Sequence, residues 1–297
     1  MNATTSQASE RVEQRVTLRQ WVARATCSLH TAGVRDARVA AEWLALEALG
    51  VDRAALYVRL DDCLPPTVAA RLEAWLRRCA AREPVAYVVG RREFWSREFL
   101  VTPAVLVPRP ESELLIEEAL RRFPRARQGT PVCAGDIGTG SGCLAVTLAC
   151  EWPGATVIAS DISGPALAVA RANAERHGVA SRVHLLAACS LQAFAAESFD
   201  LLVANPPYLS TAELEGAEPE LRFEPRAALD GGRDGLAVIR DLIADAGRVL
   251  RPGGWLLMEI GGTQREAVVN LLRQAGAREW WIRHDLAGWP RLAAGRW

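Results

Sequence analysis

The chain has 297 residues, half of them hydrophobic, with 35 basic and 35 acidic side chains. That length suits two domains, or one domain with an extension. A formal net charge of zero argues against a partner held by bulk electrostatics, such as nucleic acid or an anionic membrane. All the basic residues are arginine, which reads as genome composition rather than function.

Seven cysteines, at 27, 63, 79, 133, 143, 150 and 189, form no C-x-x-C pair. The four histidines, at 30, 177, 184 and 284, do not cluster with them. A zinc site is therefore not expected. The odd count and the lack of framework spacing read as reduced thiols in a cytoplasmic protein. Residues 1–16 are polar, with no apolar core of a signal peptide, and are expected to be a disordered tail. No apolar run reaches the length of a bilayer span.

Thr17-Leu18-Arg19-Gln20 reads as a capping box opening a helix, with Leu18, Trp21, Val22, Ala25 and Leu29 at helical spacing. A second helix is expected from about Asp36 to Leu49, stopped by Gly50. A third starts after Pro65-Pro66 and carries Val68, Leu72, Trp75, Leu76 and Cys79 on one stripe. Residues 17–83 thus read as a small helical domain, with Trp21, Trp43 and Trp75 as core. Residues 84–110 read as a β-hairpin connector. Val85–Val89 and Phe99–Val101 would be its strands, and Gly90 with Arg91-Arg92-Glu93 its turn. Arg109 lies between Pro108 and Pro110, which restricts it to an extended form. Ser112 or Glu111 then begins an amphipathic helix, and 111–297 reads as the remaining domain.

From residue 130 strands and helices alternate, which implies a mostly parallel sheet. Pro131–Ile137 is a strand, Gly138-Thr139-Gly140-Ser141-Gly142 a tight turn, and Cys143 to about Cys150 a helix. The next strand ends at Asp161. Glycines let backbone approach a ligand closely, and an acid at the second strand's end can accept from ribose hydroxyls. The spacing is not that of a dinucleotide fingerprint, and Asp136 lies just before the turn. A carboxylate there suits a cofactor with a cationic end. The pattern fits S-adenosylmethionine, its amino-acid end against the turn and Asp136, its ribose against Asp161.

Arg182–Leu186 is a third strand and Phe199–Ala204 a fourth. The fourth stops at Asn205-Pro206-Pro207-Tyr208, because neither proline can donate to a ladder. The result is a stiff corner presenting an amide, an oriented carbonyl and an aromatic ring at the carboxyl edge of a sheet, where ligands bind in open α/β folds. A helix from Leu236 to Leu250, a fifth strand from Trp255 to Ile260 and a helix from Thr263 to Ala275 follow. Glu279–Ile282 and Arg291–Ala294 read as a terminal antiparallel pair, for about seven strands. Trp280 and Trp281 alternate across that edge, so one of them should pack inward.

These motifs together resemble the bacterial protein-glutamine methyltransferases that modify peptide chain release factors (the PrmC/HemK family). The resemblance runs from about residue 34 to the end. It is carried by Arg82–Tyr87, Glu93-Phe94-Trp95, Pro108-Arg109-Pro110-Glu111-Ser112-Glu113, Asp136–Gly142, Asn205–Tyr208, Phe223-Glu224-Pro225 and Asp230–Leu236. It implies a class I S-adenosylmethionine-dependent methyltransferase fold, with a seven-stranded mostly parallel sheet, an N-terminal helical domain and a hairpin connector. The implied reaction is methyl transfer from S-adenosyl-L-methionine to the N5 amide of the glutamine in the Gly-Gly-Gln loop of class 1 release factors. The helical front end would help grip the protein substrate.

On this reading Asp136, Gly138, Thr139, Gly140, Ser141, Gly142, Asp161, Ser190 and Asn205 contact the cofactor. Asn205, Pro206, Pro207 and Tyr208 hold the glutamine amide, with Asn205, Pro206 and Tyr208 as the catalytic set. Phe94 is a candidate contact to cofactor or substrate, and Arg109 and Glu111 would line the glutamine channel. Ala187-Ala188-Cys189-Ser190 departs from the acid that the family usually has near the adenine. A monomer is expected. The alternatives are a nucleic-acid adenine N6-methyltransferase using the same corner on a flipped base, a ribosomal-protein glutamine methyltransferase, and a cofactor-binding scaffold with a dead site.

Overall fold

The computed structural model describes residues 16–297. The tail expected to be disordered lies outside the described residues except for Val16, whose carbonyl accepts from the Leu64 amide at 3.0 Å. The chain divides into two compact units, with the boundary between Val89 and Gly90.

The first unit is helical: α1 (Leu18–Thr31), α2 (Ala37–Leu49), α3 (Arg53–Val58), α4 (Pro66–Ala80) and α5 (Val85–Val89). The capping box forms, Thr17 accepting from the Gln20 amide and Gln20 accepting from the Thr17 amide. Gly50 ends α2 in the left-handed conformation, φ 65°. Trp21, Leu44 and Leu72 fill the core. Helix α3 was not anticipated; Asp52 starts it by accepting from the Ala55 amide at 2.8 Å.

Val85–Val89 is a helix and not the expected strand. A short apolar run has no period by which to tell the two apart. Pro84 tips the balance, its carbonyl accepting from the Tyr87 and Val88 amides. The hairpin lies further on, β1 (Arg91–Phe94) pairing with β2 (Arg97–Leu100), so the charged stretch expected as a turn is a strand. Its two-residue turn is Trp95-Ser96, both at φ 53°. Such a turn requires positive φ at both positions and ordinarily signals itself by Asn-Gly. Here the strain is held by partners: the Trp95 amide donates to Glu113 at 2.8 Å and its indole to Glu151 at 3.2 Å.

After a 3-10 turn at Pro110–Ser112 the chain alternates. In order come α6 (Glu113–Arg122), β3 (Val132–Ile137), α7 (Cys143–Glu151), β4 (Ala155–Asp161), α8 (Gly164–Arg176), β5 (Val183–Ala187) and β6 (Phe199–Ala204). Then follow α9 (Thr211–Glu215), α10 (Ala237–Val249), β7 (Leu250–Glu259), α11 (Arg265–Gln274), β8 (Glu279–His284) and β9 (Pro290–Arg296). One seven-stranded sheet results, in the order β5-β4-β3-β6-β7-β9-β8, with β9 antiparallel to both its neighbours. Side chains alternate between its faces. Ala134, Val157, Leu201, Val203 and Leu257 pack with α6 and α7, whereas Leu202, Ala204, Leu256 and Met258 pack with α10 and α11. Both terminal tryptophans pack, on opposite faces: Trp281 against Trp255, and Trp280 beneath Arg273.

The winding reverses between β3 and β6. From β3 the chain builds outward through β4 and β5, then returns to place β6 on the other side of β3. At such a switch point the two flanking connections part and leave a crevice at the carboxyl ends of the strands. The glycine turn follows β3 and the Asn205 corner follows β6, so sequence elements 63 residues apart (Gly142 to Asn205) open on one crevice.

Candidate active site

A cavity of about 300 Å³ occupies that crevice. It is lined by Gly138, Thr139, Gly140 and Ser141 from the turn, Asp161 and Ile162 at the end of β4, and Ala188, Cys189 and Ser190 beyond β5. Asn205, Pro206 and Pro207 line it beyond β6, and Pro108, Arg109 and Ser112 from the segment before α6. Most of the residues singled out from the sequence therefore share one wall.

The turn takes its shape from its glycines. Gly138, Gly140 and Gly142 all have positive φ, at 76°, 54° and 80°. This alternation folds the chain tightly enough for the Gly138 and Thr139 amides both to donate to the Ser160 carbonyl at 2.9 Å. Asp161 holds the turn from the next strand, accepting from the Gly140 amide at 2.9 Å and from the Ser163 amide at 2.8 Å. A carboxylate oxygen that takes one donor keeps room for another, so both oxygens remain available to hydroxyls in the cavity.

Asp136 stands behind the wall rather than on it, 1% exposed. One oxygen, Oδ2, accepts from the Thr139 hydroxyl at 2.6 Å and the Ala145 amide at 3.0 Å. The other, Oδ1, has no partner. Burial pushes its pKa up to about 7, the two hydrogen bonds pull down and the Asp161 charge adds to the rise. Asp136 thus acts on the cavity from behind its wall and not by the direct contact expected. Gly142 likewise lies behind the wall, where a Cβ would meet Ala170 at 3.1 Å. A bare glycine turn and Asp161 on one cavity, with an incompletely satisfied carboxyl buried behind it, fit a cofactor that carries both a cationic end and a ribose.

Beyond β6, Asn205 is half-buried and its Nδ2 donates to the Ser112 hydroxyl at 3.0 Å. Ser112 in turn donates to Glu259 at 2.5 Å. With Nδ2 so engaged, the Asn205 amide has its oxygen left as an acceptor. Pro206 is buried and Pro207 half-buried at the same corner. Arg109 lines the cavity and pairs at 2.5 Å with Glu224, whose second oxygen accepts from the Val107 amide at 3.2 Å. This pairing joins the Pro108–Glu113 stretch to Phe223-Glu224-Pro225.

Three expected contacts fall elsewhere. Phe94 is 1% exposed and packs edge-on against Phe99 in the core, which leaves no face for a ligand. Glu111 is exposed and off the cavity wall. Tyr208 is also off the wall; its hydroxyl is drawn to the buried Glu259, which needs donors. Burial and the neighbouring carboxylate push the phenol's pKa well up. Ser112, Glu224 and Glu259 were not singled out for roles in the sequence. An acid in the middle of Trp255-Leu256-Leu257-Met258-Glu259-Ile260 was the available signal, because a buried strand does not carry a charge without a reason.

Residues 20–90 match the family profile described as the PrmC N-terminal domain, and residues 112–218 that of the methyltransferase small domain. The chain is 44% identical over 265 residues to a release factor glutamine methyltransferase of Geobacter sulfurreducens, covering 89% of this chain and 91% of that protein. It is 46% identical over 269 residues to that of Cereibacter sphaeroides, covering 90% and 94%. Among solved structures, the catalytic domain of hMettl16 in complex with a MAT2A 3'UTR hairpin shares the fold. It does so at a TM-score of 0.55 and 16% identity over 78% of this chain and 80% of that one. On identity and coverage of this order, the chain belongs to the family of release factor glutamine methyltransferases.

Proposed function

We propose that this protein methylates the N5 side-chain amide nitrogen of the glutamine in the Gly-Gly-Gln loop of class 1 release factors, modulating translation termination. The cofactor is S-adenosyl-L-methionine. The observation that carries the reading is the polarity of Asn205: its Nδ2 end faces Ser112, to which it gives one of its two hydrogens, so its oxygen is the end offered to a substrate at a cavity shared with the glycine turn.

When bound, S-adenosylmethionine supplies an electrophilic methyl group. The turn Gly138–Gly142, with Asp136 behind it, would hold its cationic end. Asp161 would hold its ribose, and Ser190, which lines the cavity beyond β5, would stand on the adenine side. The residues of the corner do the rest. A glutamine amide nitrogen is a weak nucleophile because its lone pair is delocalised into the carbonyl. Asn205 Oδ1 and the Pro206 carbonyl each accept one of its two hydrogens, which fixes the nitrogen's direction. The same two acceptors stabilise the positive charge that develops on it. Arg109, held by Glu224, and Pro207 would shape the channel through which the glutamine enters. No side chain needs to act as a nucleophile, and the proton leaves after transfer. Positioning then supplies most of the rate.

The helical unit would grip the release factor, with the protein acting as a cytoplasmic monomer without nucleic acid. Among the described residues no helix is long and apolar enough to cross a membrane. Transfer of labelled methyl to a release factor, lost when its Gly-Gly-Gln glutamine is replaced, tests the reading. Equal labelling of the replaced protein would refute it.

A further inference from the structure

Ser112 sits between two side chains that use its hydroxyl in opposite senses. Asn205 Nδ2 lies 3.0 Å from Ser112 Oγ, and Oγ lies 2.5 Å from Glu259 Oε2. Ser112 and Glu259 are 2% and 1% exposed, so water offers neither an alternative partner. A hydroxyl has one proton to give, and an ionised carboxylate can only accept. Ser112 therefore gives its proton to Glu259 and becomes an acceptor toward Asn205. Of the two ends of the Asn205 amide, only Nδ2 can donate to it. The acceptor oxygen is left to the cavity. Presented the other way round, the amide would offer N–H groups to a substrate amide that itself needs acceptors.

We infer that Ser112 and Glu259 are positioning residues, a relay that sets which end of the Asn205 amide faces the substrate. The inference rests on the glutamine-methylation reading above. Glu259 lies at the end of β7 and Ser112 in the turn before α6, 147 residues apart in sequence. Every element packed on the carboxylate contributes a group to its state. The Tyr208 hydroxyl faces it from the β6 corner. Arg291, on β9 and itself bound to Asp285, faces it as a cation, and Glu111 adds a like charge from the Ser112 turn. Burial pushes Glu259 above the ordinary glutamate range, and Ser112, Arg291 and Tyr208 oppose that rise.

The relay is reversible in principle. A proton on Glu259 gives it an O–H that can donate to Ser112. The serine proton then turns to Asn205, where only Oδ1 can receive it. The amide flips, and the acceptor leaves the cavity. One proton on a group off the cavity wall thereby removes the substrate's hydrogen-bond partner without disturbing the cofactor side.

The test is kcat against pH, at saturating S-adenosylmethionine with unmodified release factor, for the wild-type protein, Ser112→Ala and Ser112→Thr. Cofactor affinity is measured alongside. Wild-type kcat is expected to fall about tenfold per pH unit on the acid side of the Glu259 transition. Ser112→Ala is expected to lose about 10- to 100-fold in kcat, with KM and cofactor affinity changed less than about threefold. It should also lose the acid limb, because its Asn205 amide has no fixed sense at any pH. Ser112→Thr keeps the hydroxyl and should stay within about threefold of wild type. Full kcat in Ser112→Ala, equal losses in the alanine and threonine variants, or an acid limb unchanged in Ser112→Ala would each overturn the relay. Should Ser112→Ala fail to bind cofactor, the threonine variant and the wild-type profile decide: a wild-type kcat that shows no acid limb anywhere in the pH range over which the protein stays folded overturns it. A wild-type protein that binds cofactor but leaves the release factor unmodified fails the functional reading first, and the relay with it.

Discussion

Arg109 and Glu224 meet at 2.5 Å across 115 residues of sequence, and the carboxylate of the pair is almost wholly buried, its side chain 2% exposed. Two rigid stretches, one pinned by Pro108 and Pro110 and the other by Pro225, are thereby tied into a single wall of the cavity.

Removing the cation leaves a buried charge with only the Val107 amide to answer it. Arg109→Ala is expected to cost about 1–3 kcal/mol of stability, reduced from a fully buried pair because Arg109 is partly exposed. Glu224→Gln keeps the Val107 bond in one amide orientation and should cost less. Chemical denaturation of the two variants checks the order. Arg109→Ala being no less stable than wild type would contradict the account.

The glycine turn separates folding from ligand binding. A Cβ at Gly142 would lie 3.1 Å from the Ala170 Cβ with φ at 80°, whereas one at Gly140, φ 54°, meets nothing within 4 Å and stands on the cavity wall. Gly142→Ala should destabilise the fold by about 2–3 kcal/mol. Gly140→Ala should cost only about 1 kcal/mol but weaken cofactor binding at least tenfold, as the new methyl occupies the space the turn leaves bare. Thermal melts and calorimetric titration of both variants separate the two effects.

Asp136 makes stability and binding depend on pH in opposite directions. Its pKa is raised in the folded state, from 3.8 to about 7, so between these values the native state holds more protons than the unfolded chain. Its contribution is fully present below the unfolded value and is lost as pH rises through about 7, a few kcal/mol in all. A cation in the cavity favours the ionised carboxylate, so S-adenosylmethionine should bind more tightly as pH rises from 6 to about 8 and release a proton on binding. Calorimetry in buffers of different ionisation enthalpy measures that proton. Asp136→Asn should abolish the release, raise the stability of the unliganded protein at neutral pH and weaken binding.

The hairpin turn stores strain that a single change relieves. Ser96 holds φ 53° without being glycine. Ser96→Gly is expected to raise stability by about 0.5–1 kcal/mol, since glycine takes that conformation freely. A lower melting temperature would show that the serine side chain contributes more than its backbone costs.

What the sequence showed and what it hid divide by distance along the chain. The β3 turn with Asp161, and the Asn205 corner, are local strand-to-loop signals, so they could be read directly. The capping box at Thr17 and the stop at Gly50 are local too. Val85–Val89 reads wrongly as a strand because five apolar residues carry no period, and the hairpin is hidden because Trp95-Ser96 carries none of the usual turn chemistry. Ser112 and Glu259 lie 147 residues apart, and only the fold shows that they touch. The motif around Phe94 reads as a contact for ligands, whereas the ring is 1% exposed in the core.

Glutamine methylation is read out by peptide mass spectrometry of an unmodified release factor, incubated with S-adenosylmethionine and either wild-type protein or Asn205→Ala. Wild type should add one methyl, about 14 Da, to the Gly-Gly-Gln glutamine. Asn205→Ala should be slowed by about 10²- to 10³-fold while still binding cofactor. No addition by a wild-type protein that binds S-adenosylmethionine, or methylation of DNA or a ribosomal protein instead, would contradict it.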